Sequence, residues 1–356
     1  MLTEKDRLKK AIRKEAVDRP PCICPGGMMN IVTREMMEAV EVYLPEAHSD
    51  AVKMAALAKA AYTLDCFENY GLPFCMTVEA EAMGAEVDIG SLVCEPHVVG
   101  YAIEKVEDWR RLSALDCGKG RAGTVLGAIR LLKQEDSCLP IIGNLTGPVS
   151  LAASLIEPVV FYKALRRNKE ESHAFMEFVT AQLAAFGRAQ LAAGADVIAI
   201  SDPSGTGEIM GPRLFREYAT VYLNRLIHGL RQARPDVDVI VHICGKMHTV
   251  YDSLAEVDAG ALSFDAVVSL RKTVSALPNK AIMGNTSTYA IEFSTPANVA
   301  RLTKGCIRAG ADIIAPACGM GNNSPLANIR ALRQAVLEEA LCTQQTRKGE
   351  TSYAQK

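Results

Sequence analysis

The sequence lacks any concentration of positive charge. No block of five or more basic residues occurs in its 356 residues, and the formal net charge is −2. A protein that binds nucleic acid or an acidic membrane through its surface charge needs a broad positive field. We therefore expect no nucleic-acid partner.

Long apolar runs are also missing. No stretch approaches the roughly 18 apolar residues of a membrane span, and residues 1–21 are charged, without the apolar core of a secretory signal. The eleven cysteines are odd in number and scattered, which disfavours a disulfide framework. We expect a cytoplasmic protein without membrane contact, in which most thiols are reduced and fill the core.

Glycine-rich phosphate-binding loops are absent as well. No G-x-G-x-x-G follows an early apolar run, and no P-loop occurs, which disfavours the main alternative fold, a doubly wound nucleotide-binding sheet. What is present is an alternation of short apolar runs and amphipathic segments, which predicts parallel β-sheet. Eight runs are expected to be strands: 20–26, 73–78, 139–144, 196–201, 238–244, 261–265, 281–285 and 312–318.

Eight strand–helix units in a chain of this length fit a closed barrel better than an open sheet. We predict the α/β class and an eight-stranded (β/α) TIM barrel formed by one domain, residues 1–342, with a polar, frayed tail at 343–356. The segment 79–138 is long for one helix, so we expect an insertion after the second strand, with a small hairpin around 84–99.

Local signals predict where several helices begin and end. Thr295 and Pro296 fit an N-cap and the first helical position. Two "AGAD" segments, 193–196 and 309–312, are each expected to close a helix and open a strand. Their glycines, Gly194 and Gly310, fit the helix C-terminus, where a left-handed backbone is favoured. A long helical segment is expected over 158–194.

Polar residues close several of the predicted strands, and TIM-barrel active sites lie at the C-terminal ends of the strands. Asp202 and Asp265 are the candidate catalytic residues at these ends. Candidate substrate-binding residues are Asn144, Ser201, Asn285 and Glu79, the last of which follows the second predicted strand.

His242 and Cys244 lie two residues apart at the end of one predicted strand, so their side chains share a face. Zinc accepts imidazole nitrogen and thiolate sulfur in tetrahedral geometry. Cys318, at the end of the last predicted strand and before a glycine-rich turn, is the best candidate for a third ligand. One histidine and two cysteines would leave the fourth position open.

Simpler interpretations of these residues stay open. A single histidine at a strand end is more often a hydrogen-bonded structural residue, and the carboxylates and amides could simply satisfy loop backbone. Cys22 and Cys24 form a second alternating pair and are rival ligands without a histidine. Four further residues are expected in the core, the pocket wall or at the surface: Met28, Met29, His97 and His248.

Several segments together resemble the uroporphyrinogen decarboxylase superfamily and, within it, the methylcobamide:coenzyme M methyltransferases. They are AGADVIAISDPSGTGEIMGPRLFREYATVYL, HICG, GALSFD, AIMGNTST and APACGMGNNSPLANIRAL, and the resemblance extends over 3–339. It implies an eight-stranded barrel with zinc held by His242, Cys244 and Cys318. It also implies that a thiol such as coenzyme M, bound as thiolate, takes a methyl group from a corrinoid on a small partner protein.

Departures from the decarboxylases point the same way. Where the decarboxylases carry an arginine-rich MRQAGR-type stretch, this chain has CPGGMMN. Their aspartate at the end of the second strand is missing from the corresponding segment CMTVEAE. The histidine of their late GHG stretch is replaced by the cysteine of ACG. A tetrapyrrole with many carboxylates would need those arginines. Uroporphyrinogen decarboxylation remains an alternative, as do a corrinoid methyltransferase with another donor or acceptor and a non-catalytic corrinoid-binding protein.

Overall fold

A parallel sheet of six strands forms the centre of the molecule, in the order β1-β4-β5-β6-β7-β8. The structure is a computed structural model; it describes residues 2–135 and 138–353, with side chains described up to Cys342. The strands are β1 Tyr70–Leu72, β2 Glu86–Asp88, β3 His97–Gly100, β4 Ile141–Thr146, β5 Val197–Ser201, β6 Asp238–Ile243, β7 Ala261–Phe264 and β8 Ala281–Met283.

Two extended segments lie between β8 and β1 and complete a ring. Ile313 forms a parallel bridge with Met283 of β8, and its neighbour Ile314 forms one with Cys22. These segments are the last and first of the eight predicted strands, although each is held by isolated bridges rather than a full ladder.

A side chain joins the first segment to β1. The backbone N–H of Glu68 donates to the Cys22 carbonyl at 2.9 Å. The Asn69 side chain accepts from the backbone N–H of Cys24 at 3.0 Å and donates to its carbonyl at 2.8 Å, so the amide replaces the backbone of a neighbouring strand. Hydrogen bonds thus run around all eight segments, and the predicted α/β barrel is confirmed.

Helices cover the outside of the barrel, so its strands are buried on both faces. Every residue of β4, β5 and β6 is buried. The helices are α1 Glu4–Ile12, α2 Arg34–Val40, α3 Ala51–Thr63, α4 Val78–Ala82, α5 Gly120–Lys133, α6 Pro148–Leu155, α7 Pro158–Arg167, α8 Lys169–Ala193, α9 Gly207–Leu214, α10 Val221–Arg231, α11 Tyr251–Ala255, α12 Leu270–Ala276, α13 Thr288–Phe293, α14 Pro296–Arg308 and α15 Leu326–Tyr353.

The second strand is the main correction to the predicted boundaries. The predicted run 73–78 is not a strand: β1 ends at Leu72, and α4 already begins at Val78. Pro73 follows the strand directly, and proline cannot donate a ladder hydrogen bond. Phe74, Cys75 and Val78 after it are buried in the loop and helix instead.

Among the predicted helices, the long segment 158–194 is divided. Asn168, with φ −131° and ψ 70°, separates α7 from α8. The start of α14 is confirmed, because the Thr295 hydroxyl accepts from the backbone N–H of Asn298. Gly194 and Gly310 have φ of 124° and 94°, as the helix-end prediction requires.

The predicted insertion after the second strand is present. β2 and β3 pair antiparallel as a small two-stranded sheet. The Asn322 side-chain amide donates to the carbonyl of Leu92 in the turn of this hairpin, at 3.3 Å. The hairpin turn therefore lies against the loop that follows Cys318.

The described part of the chain contains no single helix long and apolar enough to cross a membrane; only the bent pair α6 and α7, at 115°, meets that criterion by length and composition. The frayed tail predicted for 343–356 stays a prediction. The backbone of α15 extends to Tyr353, and 354–356 lie outside the described residues.

Candidate metal centre

One imidazole and two thiols meet at the C-terminal mouth of the barrel. His242 is on β6, Cys244 follows that strand, and Cys318 follows the last extended segment. The His242 Nε2 and Cys244 Sγ atoms are 3.1 Å apart, and the two Sγ atoms are 3.3 Å apart. All three ligand atoms lie within 4.8 Å of one another. The structure thus assembles the predicted trio into one group that suits a borderline-soft metal ion.

The orientation of the His242 ring is fixed by Ser263. The two residues face each other in the register of β6 and β7, and the imidazole Nδ1 is 2.9 Å from the Ser263 hydroxyl. With Nδ1–H donating to this hydroxyl, the lone pair of Nε2 points toward the two sulfurs. A hydrogen-bond partner on the second nitrogen is the usual arrangement for a metal-binding histidine.

Without a metal ion, the two thiols interact as an acid and its base. The Cys244 and Cys318 sulfurs lie within hydrogen-bond distance of each other, and either thiol can donate. This contact lowers the pKa of Cys318. The same contact, together with burial, raises the pKa of Cys244. The pair therefore releases one proton more readily than an isolated buried thiol would, and thiolate is the form that binds a metal.

The residues around the trio leave it open toward the mouth. Cys244 and Cys318 are only half-buried, and the Met28 sulfur lies 3.9 Å from the Cys244 sulfur. The Asp265 Oδ2 accepts from the backbone N–H of Gly245, the residue after Cys244, at 3.4 Å. Of the predicted catalytic and substrate-binding residues, Asp265 is the one whose side chain bonds the loop that carries Cys244.

Asp202, the other predicted catalytic residue, is fully buried. Its Oδ1 accepts from the backbone N–H and the hydroxyl of Ser150, both at 2.7 Å, and its Oδ2 from the N–H of Val149 at 3.3 Å. Burial raises the pKa of this carboxyl to about 6, although the bonds from Ser150 oppose the shift. These contacts hold the first turn of α6 against the end of β5.

The predicted substrate-binding residues Asn144 and Glu79 bond to the barrel itself. Asn144 donates to the carbonyls of Pro25 and Leu72 at 2.7 and 3.1 Å, while its buried Oδ1 has no hydrogen-bond partner among the described residues. Glu79 accepts from the N–H and the hydroxyl of Thr146 at 2.8 and 3.0 Å, and burial raises the pKa of Glu79.

Asn285 and Ser201 also contact the framework. The Asn285 side chain donates to the carbonyls of Asp265 and Val268 at 2.8 and 2.9 Å, which joins the end of β8 to the loop after β7. Ser201 is buried and lies opposite His242 in the register of β5 and β6. Neither residue's contacts reveal a ligand.

The rival ligands do not join the group. Cys22 and Cys24 are fully buried, and burial raises the pKa of both thiols; the Cys24 thiol donates to the Met29 carbonyl at 3.1 Å. His97 and His248 are exposed, as expected. The only group of this kind among the described residues is His242, Cys244 and Cys318.

Two residues near the trio were missed from the sequence. Ser263 could have been found, because it is a hydroxyl residue in an apolar strand, "ALSF", one strand after the histidine. Glu95 could not, since it belongs to the inserted hairpin. Glu95 is exposed to solvent. Its pKa is nevertheless raised, mainly because neighbouring protein atoms reduce the hydration of its carboxylate and secondly because the Cys318 sulfur is near.

Comparisons with known proteins agree with this geometry. The chain is 33% identical over 332 residues to the methylcobamide:CoM methyltransferase MtbA of Methanosarcina acetivorans, covering 93% of this chain and 96% of that one. It is 31% identical to MtaA of Methanosarcina barkeri, with the same coverage. A solved methyltransferase from Methanosarcina mazei superposes with a TM-score of 0.89 at 28% identity, covering 95% and 99% of the two chains.

The profile of the uroporphyrinogen decarboxylase family matches residues 3–339, which include the barrel and all three residues of the trio. The resemblance inferred from the strand-end motifs is thereby confirmed over nearly the whole chain. The chain belongs to the uroporphyrinogen decarboxylase (URO-D) family.

Proposed function

We propose that this protein is a methyltransferase that moves a methyl group from a methylated corrinoid, carried by a small partner protein, to a thiol bound at a zinc ion. His242, Cys244 and Cys318 would hold the zinc. The observation that carries the proposal is the convergence of these three ligand atoms within 4.8 Å at an accessible barrel mouth.

The donor set fits zinc. A tetrahedral ion with Zn–S bonds of about 2.3 Å keeps two ligand sulfurs about 3.8 Å apart. The two sulfurs of the trio are 3.3 Å apart, so small rotations of Cys244 and Cys318 are enough to admit the ion. Three protein ligands are also the number that leaves a position for a substrate.

Bound zinc would supply one chemical effect, the conversion of a substrate thiol into a reactive thiolate at neutral pH. The side chains supply the rest. Ser263 orients the His242 ring, and Met28 forms an apolar wall beside Cys244. Of the two predicted catalytic residues, we propose that Asp265, which bonds Gly245 beside Cys244, acts on the incoming thiol. We propose only positioning roles for Asp202, Ser201, Asn144, Asn285 and Glu79.

The donor and acceptor are proposed from the relatives. MtbA and MtaA are named for a methylcobamide donor and for coenzyme M as acceptor. We take the donor class from these names and propose coenzyme M, or another small thiol, as acceptor. Decarboxylation of uroporphyrinogen is less consistent with this chain, because Gly26 and Gly27 stand where the arginine-rich stretch would lie.

Methyl transfer from free methylcobalamin to coenzyme M tests the proposal, with the cobalt absorption spectrum and the methylated thiol as readouts. We expect activity that a chelator abolishes and zinc restores. The Cys318→Ser variant should lose it, whereas Cys138→Ser, at an exposed thiol distant from the trio, should keep it. Methylation of a non-thiol acceptor alone, or full activity without zinc, would contradict the proposal.

A further inference from the structure

A group of exposed basic residues lies beside the candidate metal centre. We call Lys246, His248, Arg271 and Lys272 the cationic patch. Lys246 follows Cys244 by two residues, and Arg271 and Lys272 lie in the first turn of α12, the helix after β7. Lys246, His248 and Lys272 line one cavity of about 210 Å³. Because loops after parallel strands meet at one face, the patch belongs to the barrel mouth.

Local stability does not explain the two cations on α12. The first turn of a helix favours acidic side chains, since its free N–H groups carry partial positive charge. α12 has no acid there, and Arg271 and Lys272 form no ion pair among the described residues. Glu208 lies beside the other two members of the patch, since its carboxylate is 3.5 Å from the Lys246 ammonium and also interacts with His248. The positive charge of Arg271 and Lys272 is therefore available to another molecule.

An exposed apolar side chain stands within the patch. Val267 lines the same cavity, and 62% of its surface is exposed. The loop that bears it is anchored, because Asp265 accepts from the backbone N–H groups of Gly245 and Val267. An apolar contact within a charged rim on an anchored loop is the composition of a protein-binding surface.

We infer that the cationic patch and Val267 form the docking surface for the corrinoid-carrying protein, and that the face of the carrier that meets it is acidic. The inference rests on the proposed function, in which the cobalt must come within bonding reach of a thiol at His242, Cys244 and Cys318. A carrier that covers this mouth meets the loops after β6 and β7. Opposite charge on its face would speed encounter and fix its orientation.

Charge reversal tests the docking surface. The variants are Arg271→Glu and Lys272→Glu, with Arg130→Glu as the matched control. Arg130 is exposed near the C-terminal end of α5 and forms no ion pair among the described residues. That end of α5 leads into the start of β4, at the opposite end of the barrel. Both arginine variants change the net charge equally.

Each variant is assayed with two methyl donors. One is free methylcobalamin; the other is each small corrinoid-binding protein encoded in the source genome, purified and loaded with methylcobalamin. We expect the KM for the carried corrinoid to rise about tenfold in the patch variants and to depend less on salt. With free methylcobalamin their rates should stay within about twofold of the parent, and Arg130→Glu should behave as the parent with both donors.

The possible failures are distinguishable. Equal loss with both donors would mean that the patch binds the corrinoid itself, for example its phosphate, and would overturn the inference. An unchanged KM of the patch variants for the carried corrinoid would overturn it as well. So would the finding that no carrier protein donates the methyl group faster than free methylcobalamin does. If the parent protein methylates no thiol from free methylcobalamin, the proposed function itself fails.

Discussion

The sulfur atoms of Cys244 and Cys318 lie 3.3 Å apart, although 74 positions separate the two residues along the chain. β7 and β8 stand between the segments that carry them. Closure of the barrel brings both segments to the same mouth, and the loops after them turn the thiols toward one point. This relationship, together with His242, is the basis of the following predictions.

Removal of either thiol is expected to remove the metal. The zinc content should fall from one ion per chain in the parent to a small fraction of that in the Cys244→Ser and Cys318→Ser variants. The reason is that a hydroxyl is a much poorer zinc ligand than a thiolate. Elemental analysis of purified protein measures this without any activity assay. Cys138→Ser should retain full zinc, and zinc-free parent protein would contradict the assignment.

The second prediction concerns the hydrogen bond that orients His242. Ser263→Ala removes the acceptor of Nδ1–H and should weaken zinc binding about 10- to 100-fold, measured by competition with a chromophoric chelator. Ser253→Ala is the matched control, since Ser253 is a buried serine on α11, outside the sheet that carries His242. Equal affinity of the Ser263→Ala variant and the parent would exclude a positioning role.

In the metal-free protein, Cys244 and Cys318 should be the first thiols to oxidise. One sulfur of the pair would attack hydrogen peroxide and release water, and the adjacent sulfur, 3.3 Å away, would displace the second water to form a disulfide. Peptide mass mapping detects the bond, and bound zinc should prevent it. Buried Cys22 and Cys24 should remain reduced; their earlier oxidation would contradict the prediction.

Asp202 is expected to make stability depend on pH. Its native pKa of about 6 exceeds the ordinary value of 3.8, so the native state binds more protons than the unfolded state between these values. Its contribution is therefore full below about pH 4 and is lost as pH rises through 6. Relative to Asp202→Asn, the free energy of unfolding of the parent should fall by up to about 3 kcal/mol from pH 4 to 7. Urea unfolding measures the difference, and a constant value would refute the assignment.

Asn69 should be important for barrel stability. Asn69→Ala leaves the N–H and carbonyl of Cys24 without their partners in the core, which should cost about 2–5 kcal/mol of unfolding free energy. The comparison is Asn298→Ala, whose amide bonds lie at the partly exposed surface and should cost less than about 1 kcal/mol. Equal losses would mean that the Asn69 side chain is not a substitute for strand pairing.

Much of the barrel was predictable because its signals are local. The alternation of apolar runs and helices indicated eight units, and the N-cap at Thr295 and the glycines at 194 and 310 marked helix boundaries. The second strand was misplaced because "PFCMTV" is as apolar as a strand. An apolar composition cannot distinguish a strand from a buried loop. The strand ends at Leu72 because Pro73, which follows it, has no backbone N–H to donate to the sheet.

The sequence by itself indicated the donor set of the candidate metal centre. His242 lies near the end of β6 and Cys244 directly follows that strand, so the two-residue spacing in extended backbone places both side chains on one face. What only the tertiary structure decided is which distant groups join them. Cys318, Ser263 and Asp265 are placed by barrel closure and strand register, and the cationic patch by loops from different strands. Such contacts depend on where whole segments pack, which no local pattern encodes.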